Sequence, residues 1–158
     1  MSTALEKISQ SVLEDITPDT NKRGEIHALV EKLKNKAESV VRKHKIRATV
    51  RVEGSVAKDT WISREPDIDL FIQFPPTLSR EEFGETALDI AREATAGSRQ
   101  VERFAEHPYL EAFVDNVRVN IVPCYKVRKG QWKSATDRTP YHTDYIKPLL
   151  NKKLRGEV

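Results

Sequence analysis

The segment that follows Pro18 constrains the fold of this chain more than any other part of the sequence. Its apolar residues recur at intervals of three and four, with Glu and Lys between them, which predicts one long amphipathic helix. They are Ile26, Leu29, Val30, Leu33, Ala37, Val40 and Val41. A helix with a single apolar stripe needs another apolar surface to cover it, and we expect the rest of the chain to supply that surface.

A shorter helix is predicted ahead of the long one, at about residues 4–15. Leu5, Ile8, Val12 and Ile16 recur at helical spacing along it. We expect this second stripe to pack into the core as well.

Extended segments follow the long helix. Apolar and polar residues alternate over residues 46–53, which predicts a strand that ends in a turn at Gly54-Ser55. Residues 67–74 are more continuously apolar and predict a more buried strand, which Pro75-Pro76 terminates.

A helix and further strands are predicted in the next part of the chain. Ser79 and Glu82 have the spacing of a capping box, and the helix they begin is expected to continue to Gly97. Extended segments follow at about residues 99–105, 109–114 and 117–122. The last two are joined at Asp115-Asn116, a pair typical of a tight hairpin.

The order of these elements predicts a mixed α/β (α+β) fold, with a mainly antiparallel sheet and helices packed on one side. The chain becomes irregular from residue 126 to Gly130, and a last helix is predicted to begin near Ser134 or at Thr139-Pro140. A length of 158 residues fits one domain, residues 1–158.

Composition narrows the class of protein. The chain is 38% hydrophobic and 32% charged, with no apolar run near the roughly 18 residues that span a bilayer, so we expect a cytoplasmic protein without a membrane partner. Its one cysteine, Cys124, is predicted to be a half-buried structural thiol. The four histidines lack the spacing of a zinc site.

The net charge of +3 permits contact with a polyanion without requiring it. Basic residues gather in two clusters that are solvated surface or nucleic-acid contacts. They are Lys126, Arg128 and Lys129 after the last strand, and Lys147, Lys152, Lys153 and Arg155 near the C-terminus.

One constellation points to chemistry. Asp67 and Asp69 are two residues apart in a predicted strand, so their carboxylates project side by side on one face. A divalent cation relieves the repulsion between them, and Mg²⁺ prefers such hard oxygen ligands together with phosphates. The turn at Gly54-Ser55 lets backbone amides approach a phosphate closely, and Ser55 adds a hydroxyl. A nucleoside triphosphate therefore fits between turn and metal.

The alternative is that the two aspartates are exposed acids and the glycine turn has no ligand. The combination is more specific than either part. Gly-Ser at a strand end, eleven intervening residues, and then Asp-apolar-Asp-apolar resembles the nucleotidyltransferase superfamily that includes DNA polymerase β.

Longer stretches narrow the resemblance. GSVAKDTW, PDIDLFIQFP, FAEHPYLEAFV, VRVNIVPCYKV and SATDRTPYHTDYI are similar to segments of the head domain of archaeal-type (class I) CCA-adding enzymes, a family of tRNA nucleotidyltransferases. The similarity extends from about residue 25 to the C-terminus. It implies the polymerase β-like fold, with an N-terminal helix at 1–17, a catalytic core at 18–125, and a basic segment at 126–158 that leads to domains absent from this chain.

The resemblance also implies roles for single residues. Asp67 and Asp69 would bind metal, Ser55 and Lys58 would contact phosphate, and His142 would contact the nucleotide. The family has arginine where this chain has Lys58, which keeps the charge and loses the planar fork.

A second departure is Asn120, which stands where the family has a third catalytic and metal-binding aspartate. An amide is a neutral, weaker ligand and cannot act as a base. We therefore expect an impaired enzyme, whether Asn120 was introduced to trap a complex or arose by natural loss.

The function that the resemblance implies is transfer of CMP and AMP from CTP and ATP to the 3′ end of tRNA by two-metal phosphoryl transfer with Mg²⁺. Binding of tRNA is expected to be weak without the further domains. Two alternatives stay open: a small stand-alone nucleotidyltransferase that modifies a protein, a toxin target or an antibiotic, and a non-catalytic nucleotide-binding or RNA-binding module.

Overall fold

The computed structural model describes residues 3–154 of the chain, with side chains up to residue 150. Its strands are β1 (Thr49–Glu53), β2 (Asp67–Phe74), β3 (Arg99–Phe104), β4 (Pro108–Val114) and β5 (Val117–Tyr125). Its helices are α1 (Ala4–Ile16), α2 (Thr20–Lys43), α3 (Gly54–Lys58), α4 (Arg80–Ala94) and α5 (Arg138–Leu154), with a 3-10 turn at Ala135–Asp137. The strands form a sheet in the order β1-β2-β5-β4-β3. The pair β2 and β5 is parallel and the other pairs are antiparallel, which confirms the predicted fold class.

Helices α2 and α4 cover one face of this sheet. All seven apolar residues of the predicted α2 stripe are buried. Phe83 of α4 packs edge-on against Phe74 of β2, with ring centroids 5.7 Å apart. The long amphipathic helix therefore covers the sheet as its stripe predicts, and the apolar area it removes from water is a main source of stability.

Side chains of β2 alternate between the two faces. Ile68, Leu70, Ile72 and Phe74 point toward α4 and have no exposed surface. Asp67 and Asp69 are offset by one residue and therefore lie on the opposite face, which α2 and α4 leave uncovered. The strand thus builds the core with one set of residues and presents the carboxylate pair with the other.

The prediction that the stripe of α1 packs into the core is wrong. No described residue of this helix is buried, and Leu5, Ile8 and Val12 are exposed by half or more. The backbone bond from Ser63 N to Ile16 O (2.8 Å) and an ion pair of Asp15 with Arg64 tie its C-terminal end to the loop before β2. Helical spacing predicted the helix itself, but the described part of the chain supplies no surface to cover its apolar side.

Several predicted boundaries move for local reasons. Strand β1 begins at Thr49 because the chain leaves α2 through Lys45, whose φ is 54°, and the Ile46 N–H still donates to Val41 O. Helix α4 ends at Ala94 rather than Gly97 because Thr95 is its C-cap. The predicted capping box of Ser79 with Glu82 is confirmed.

The second half of the sheet follows the prediction with one extension. The hairpin between β4 and β5 has its two turn residues, Asp115 and Asn116, at φ 51° and 63°, which confirms the predicted tight turn. Strand β5 continues past Val122 to Tyr125, since its parallel pairing with β2 runs to Phe74.

The last helix begins at Arg138, so Thr139 is not its N-cap. A 3-10 turn capped by Ser134 precedes it, and the buried Asp137 carboxylate orders this turn. That carboxylate accepts hydrogen bonds from the backbone of Tyr125, Lys133 and Ser134. These bonds satisfy a charge that would be costly to bury alone.

Helix α5 contacts α3 and β1. Asp144 of this helix accepts a hydrogen bond from Arg51, whose partner in the sheet is Phe71, so Arg51 shares the face of Asp69. None of the described helices is both long and apolar enough to cross a membrane.

The two predicted basic clusters differ in what the structure shows of them. Lys126, Arg128 and Lys129 are exposed. Lys147 is exposed on α5, whereas the side chains of Lys152, Lys153 and Arg155 lie outside the described residues.

Candidate active site

Register in the sheet brings three of the predicted site residues together. Asp69 on β2 is the direct partner of Asn120 on the parallel neighbour β5. The Asn120 side chain donates from Nδ2 to Asp69 Oδ1 over 3.1 Å. Asp67 lies two residues before Asp69 on the same face, so the carboxylate pair and the amide form one polar surface.

Position 54 requires a glycine for two reasons, its backbone conformation and the close approach of Asp69. It follows β1 directly, and its φ of 73° lies in the left-handed region that favours glycine. A Cβ at this position would lie 3.0 Å from Cγ of Asp69 and closer still to Oδ2. The absence of a side chain therefore lets the backbone of Gly54 lie against the carboxylate of Asp69.

The predicted turn at Gly54-Ser55 is the beginning of the short helix α3. Ser55 and Lys58 are half-buried on it. Helix α3 ends at Lys58, and its C-cap Asp59 is a left-handed residue that forms an ion pair with Arg23 of α2. The positive charge of Lys58 lowers the pKa of the Asp69 carboxyl, and it is the smallest of the influences on that group.

His142 lies away from this group. It is exposed on α5 and does not line the cleft described below. The structure therefore brings together Gly54, Asp67, Asp69 and Asn120, whereas His142 belongs to the separate helix α5.

Burial is the largest influence on the Asp69 carboxyl, and it raises the pKa of that group. The negative charge of Asp67 raises the pKa further, while the Asn120 hydrogen bond and the charges of Arg118 and Lys58 oppose the shift. A cation bound between the two aspartates would relieve both the burial cost and the repulsion.

An open cleft of about 480 Å³ lies over the part of this surface formed by Asp69 and Asn120, whereas Asp67 lines an adjacent hollow that shares Arg118 with the cleft. Gly54, Asp69 and Asn120 line the cleft, together with three residues that sequence reasoning did not assign to the site: His107, Glu111 and Arg118.

Of these three residues, Arg118 is the one that contacts the carboxylate pair directly. Its Nε donates to Asp67 Oδ1 at 2.9 Å and its Nη2 to Oδ2 at 2.5 Å, a two-point contact on one carboxylate. The two residues are direct partners in the parallel pairing of β2 and β5. The alternation in Val117-Arg-Val-Asn could have shown that Arg118 shares a face with Asn120, but the strand pairing was not visible in the sequence.

Glu111 and His107 line the cleft on the side of β4. Glu111 is 8% exposed, lies opposite Asn120 on β4, and accepts a hydrogen bond from Arg103 over 3.0 Å. The ring of His107 packs edge-on against Phe83 and also lines the cleft. Burial lowers the pKa of His107 and so favours the neutral imidazole.

The cysteine is structural, as predicted. Cys124 is fully buried rather than half-buried, and burial raises the pKa of its thiol.

The side chains present fit one hard cation better than two. Asp67 and Asp69 offer two carboxylates on one face, the donor type that Mg²⁺ prefers. A second ion would have Asp69 and the neutral amide oxygen of Asn120. Among the described residues, no group of three or more His, Cys, Asp and Glu side chains is arranged to hold a metal ion.

Comparison with known structures supports the fold. The chain is similar to E. coli MS115-1 CdnC in complex with ATP, with a TM-score of 0.68, 18% identity, and coverage of 95% of this chain and 52% of that one. It is also similar to the Cid1 poly(U) polymerase, with a TM-score of 0.63, 13% identity, and coverage of 94% and 41%.

Curated relatives are nearer in sequence. The CCA-adding enzyme of Methanosarcina barkeri is 39% identical over 148 residues, which are 92% of this chain and 33% of the relative. The CCA-adding enzyme of Haloarcula marismortui is 31% identical over 159 residues, or 100% of this chain and 34% of the relative. The chain spans about a third of the length of these relatives.

The family itself is shown by a match that covers most of the site. The model of the nucleotidyltransferase domain matches residues 33–142, which include β1, α3, β2 and β5 with the glycine turn, both aspartates and Asn120. The chain therefore belongs to the nucleotidyltransferase domain family.

Proposed function

We propose that this chain is the catalytic head of a CCA-adding tRNA nucleotidyltransferase, which transfers CMP and AMP from CTP and ATP to the 3′ end of tRNA. The observation that carries the proposal is the contact of Gly54 with Asp69, which joins the glycine turn and the carboxylate pair into one site. The similarity to archaeal CCA-adding enzymes over 92% of the chain supports the choice of substrate.

The chain's own residues divide the work of phosphoryl transfer. The backbone at Gly54, the hydroxyl of Ser55 and the ammonium of Lys58 would hold the phosphates, and His142 would contact the nucleotide from α5. Asp67 and Asp69 would hold Mg²⁺, which when bound neutralises charge on the triphosphate. Lys58 offers a point charge rather than a planar fork, so it positions a phosphate less strictly than arginine would.

Asn120 limits the reaction at the attacking hydroxyl. A carboxylate at this position would help to hold the second Mg²⁺ and accept the proton of the tRNA 3′-hydroxyl, whereas the amide of Asn120 cannot take a proton. Its Nδ2 instead donates to Asp69, which removes part of that carboxylate's capacity to bind a cation. The chain is therefore an impaired transferase, slower by about a thousandfold or more than one with aspartate here.

The greater length of the relatives bears on how strongly this chain would bind tRNA. Since the chain spans about a third of each relative, the remaining two-thirds would grip the tRNA, and the head would bind tRNA weakly. Within the head, residues 1–17 would be an N-terminal segment that contains helix α1, residues 18–125 the catalytic core, and residues 126–158 a basic segment. A cytoplasmic location follows from the tRNA substrate.

The test is restoration of the third carboxylate. The Asn120→Asp variant is incubated with Mg²⁺, labelled CTP and tRNA that lacks its terminal CCA, and label in the tRNA is measured. Asn35→Asp, the same change on the exposed side of α2, is the control. Asn120→Asp should add nucleotide, and Asn35→Asp should behave like the starting protein.

Two other outcomes would replace the proposal. Transfer of nucleotide by Asn120→Asp to a protein or small molecule, with none to tRNA, would identify a stand-alone nucleotidyltransferase. Binding of CTP or ATP with no turnover of any kind in the same variant would identify a non-catalytic module.

A further inference from the structure

We infer that Arg118 is a resident counter-cation of Asp67 and competes with divalent metal ions for that carboxylate. The inference rests on the proposed function in one respect, the role of Asp67 as a metal ligand. It concerns how strongly this chain binds metal before any nucleotide is present.

The geometry supports direct competition. Each oxygen of Asp67 accepts one N–H from the guanidinium of Arg118, at 2.9 Å and 2.5 Å. Such two-point contacts with arginine are among the stronger hydrogen-bonded ion pairs and fix the plane of the carboxylate. A hard cation that binds the same oxygens must displace or reorient the guanidinium, because two positive charges cannot share them without repulsion.

The fold holds the two residues in register. Asp67 and Arg118 are direct partners in the parallel pairing of β2 and β5, two residues along each strand from Asp69 and Asn120. Their backbones are fixed by the sheet, so the ion pair re-forms whenever the metal leaves. The sheet thus keeps the guanidinium of Arg118 next to the carboxylate of Asp67.

The charges around the carboxylate pair point the same way. Asp67 is neutralised by Arg118, and Glu111 is paired with Arg103. Among the side chains that the structure describes, none forms a salt bridge with Asp69, and its neighbour Asn120 is neutral, although the charge of Lys58 acts on it. A nucleotide-free site with so little uncompensated negative charge attracts a divalent ion weakly.

The competition is reversible because the pair is partly solvated. The side chain of Arg118 is 47% exposed and that of Asp67 is 31% exposed. Although the two-point geometry is favourable, solvent screening at this exposure reduces the strength of the pair, so loss of the guanidinium should change metal affinity by about threefold to fivefold rather than by orders of magnitude. Arg118 therefore lowers resting metal occupancy without closing the site.

The experiment is a titration of the whole chain with Mn²⁺ in the absence of nucleotide, followed by electron paramagnetic resonance of the free ion. Arg118→Gln should bind Mn²⁺ about threefold to fivefold more tightly than the starting protein. Arg92→Gln is the matched control, since it removes the same charge from an arginine that pairs with Asp89 and Glu102 on the other side of the sheet. Its Mn²⁺ affinity should stay unchanged.

Two further variants separate competition from a change in folding. Arg118→Lys, which keeps the charge and loses the fork, should give an affinity between those of the starting protein and Arg118→Gln. Asp67→Asn combined with Arg118→Gln should abolish the gain, because the carboxylate over which the cations compete is gone. Thermal unfolding confirms that each variant is folded.

Unchanged or weaker Mn²⁺ binding by folded Arg118→Gln would overturn the inference, as would an equal gain in Arg92→Gln. The titration uses neither tRNA nor CTP. Failure of the proposed transfer reaction would therefore leave its result intact, and a negative titration would leave the transfer reaction to be judged by its own assay.

Discussion

The two faces of the sheet are built from the same strands and have opposite properties. On the face covered by α2 and α4, β2 contributes Ile68, Leu70, Ile72 and Phe74, all without exposed surface. On the other face the same strand contributes Asp67, which pairs with Arg118, and Asp69, which accepts a hydrogen bond from the neutral amide of Asn120. The first face provides stability and the second is available for ligands. A substitution should therefore affect one property much more than the other, according to the face it lies on.

The largest effect is expected on the open face. Asn120→Asp should raise the rate of nucleotide addition by about a thousandfold, equivalent to about 4 kcal/mol, because it restores a proton acceptor and an anionic ligand. Initial rates with CTP and CCA-less tRNA measure this, and the free energy of unfolding should change by less than about 1 kcal/mol. A gain of less than tenfold would mean that the missing carboxylate is not what limits the chain.

A nearly equal effect on stability is expected on the covered face. Leu70→Ala should lower the free energy of unfolding by about 3 kcal/mol, since it leaves a cavity in a fully buried site. The matched change Leu5→Ala on α1, where the side chain is 73% exposed, should cost less than about 0.5 kcal/mol. Denaturant titrations compare the two. An equal loss at Leu5 would show that α1 is packed against the core after all.

A smaller effect separates backbone strain from contact with the site. Gly54→Ala and Gly97→Ala both place alanine at a positive φ, of 73° and 87°, at a cost of about 1–2 kcal/mol each. Only the Cβ at position 54 would meet Asp69, whereas nothing lies within 4 Å of one at position 97. Both variants should lose stability, but only Gly54→Ala should also lose Mg²⁺-dependent CTP binding. Equal binding by the two variants would place the triphosphate elsewhere.

The smallest effect follows from the raised pKa of Asp69. A carboxyl whose pKa is higher in the folded state favours folding while it is protonated, and this contribution is lost as the pH rises through the raised pKa. At pH 7 the ionised group therefore destabilises the fold. Asp69→Asn should be more stable than the starting protein at pH 7, and the advantage should shrink as the pH falls through the raised pKa.

Thermal unfolding across this pH range measures the difference. Asp89→Asn on the exposed side of α4 is the control, with an expected change within about 0.5 kcal/mol. A loss of stability in Asp69→Asn at pH 7 would mean that the ionised carboxylate is stabilised by its neighbours more than burial destabilises it.

The same two faces explain what could be predicted from the sequence. The α2 stripe, the β2 strand and the shared face of Asp67 and Asp69 depend on local periodicity, and all three were predicted correctly. The presence of Arg118 and Glu111 near these aspartates depends on which strands pair, and in which register. That information is non-local, since β2 and β5 pair across more than forty intervening residues. Helix α1 shows the same limit of local periodicity. Its apolar spacing predicted the helix, but it could not predict whether another part of the chain packs against the apolar side.

The open face is expected to bind a triphosphate through the carboxylate pair, and this can be measured by calorimetry with CTP. CTP is titrated into the starting protein with and without Mg²⁺, then into Asp69→Ala and into Asp89→Ala as a control for loss of one negative charge. We expect weak, Mg²⁺-dependent binding that Asp69→Ala abolishes and Asp89→Ala retains. Unchanged CTP binding by Asp69→Ala in the presence of Mg²⁺ would contradict this expectation, since the carboxylate pair would then not be the metal and nucleotide site.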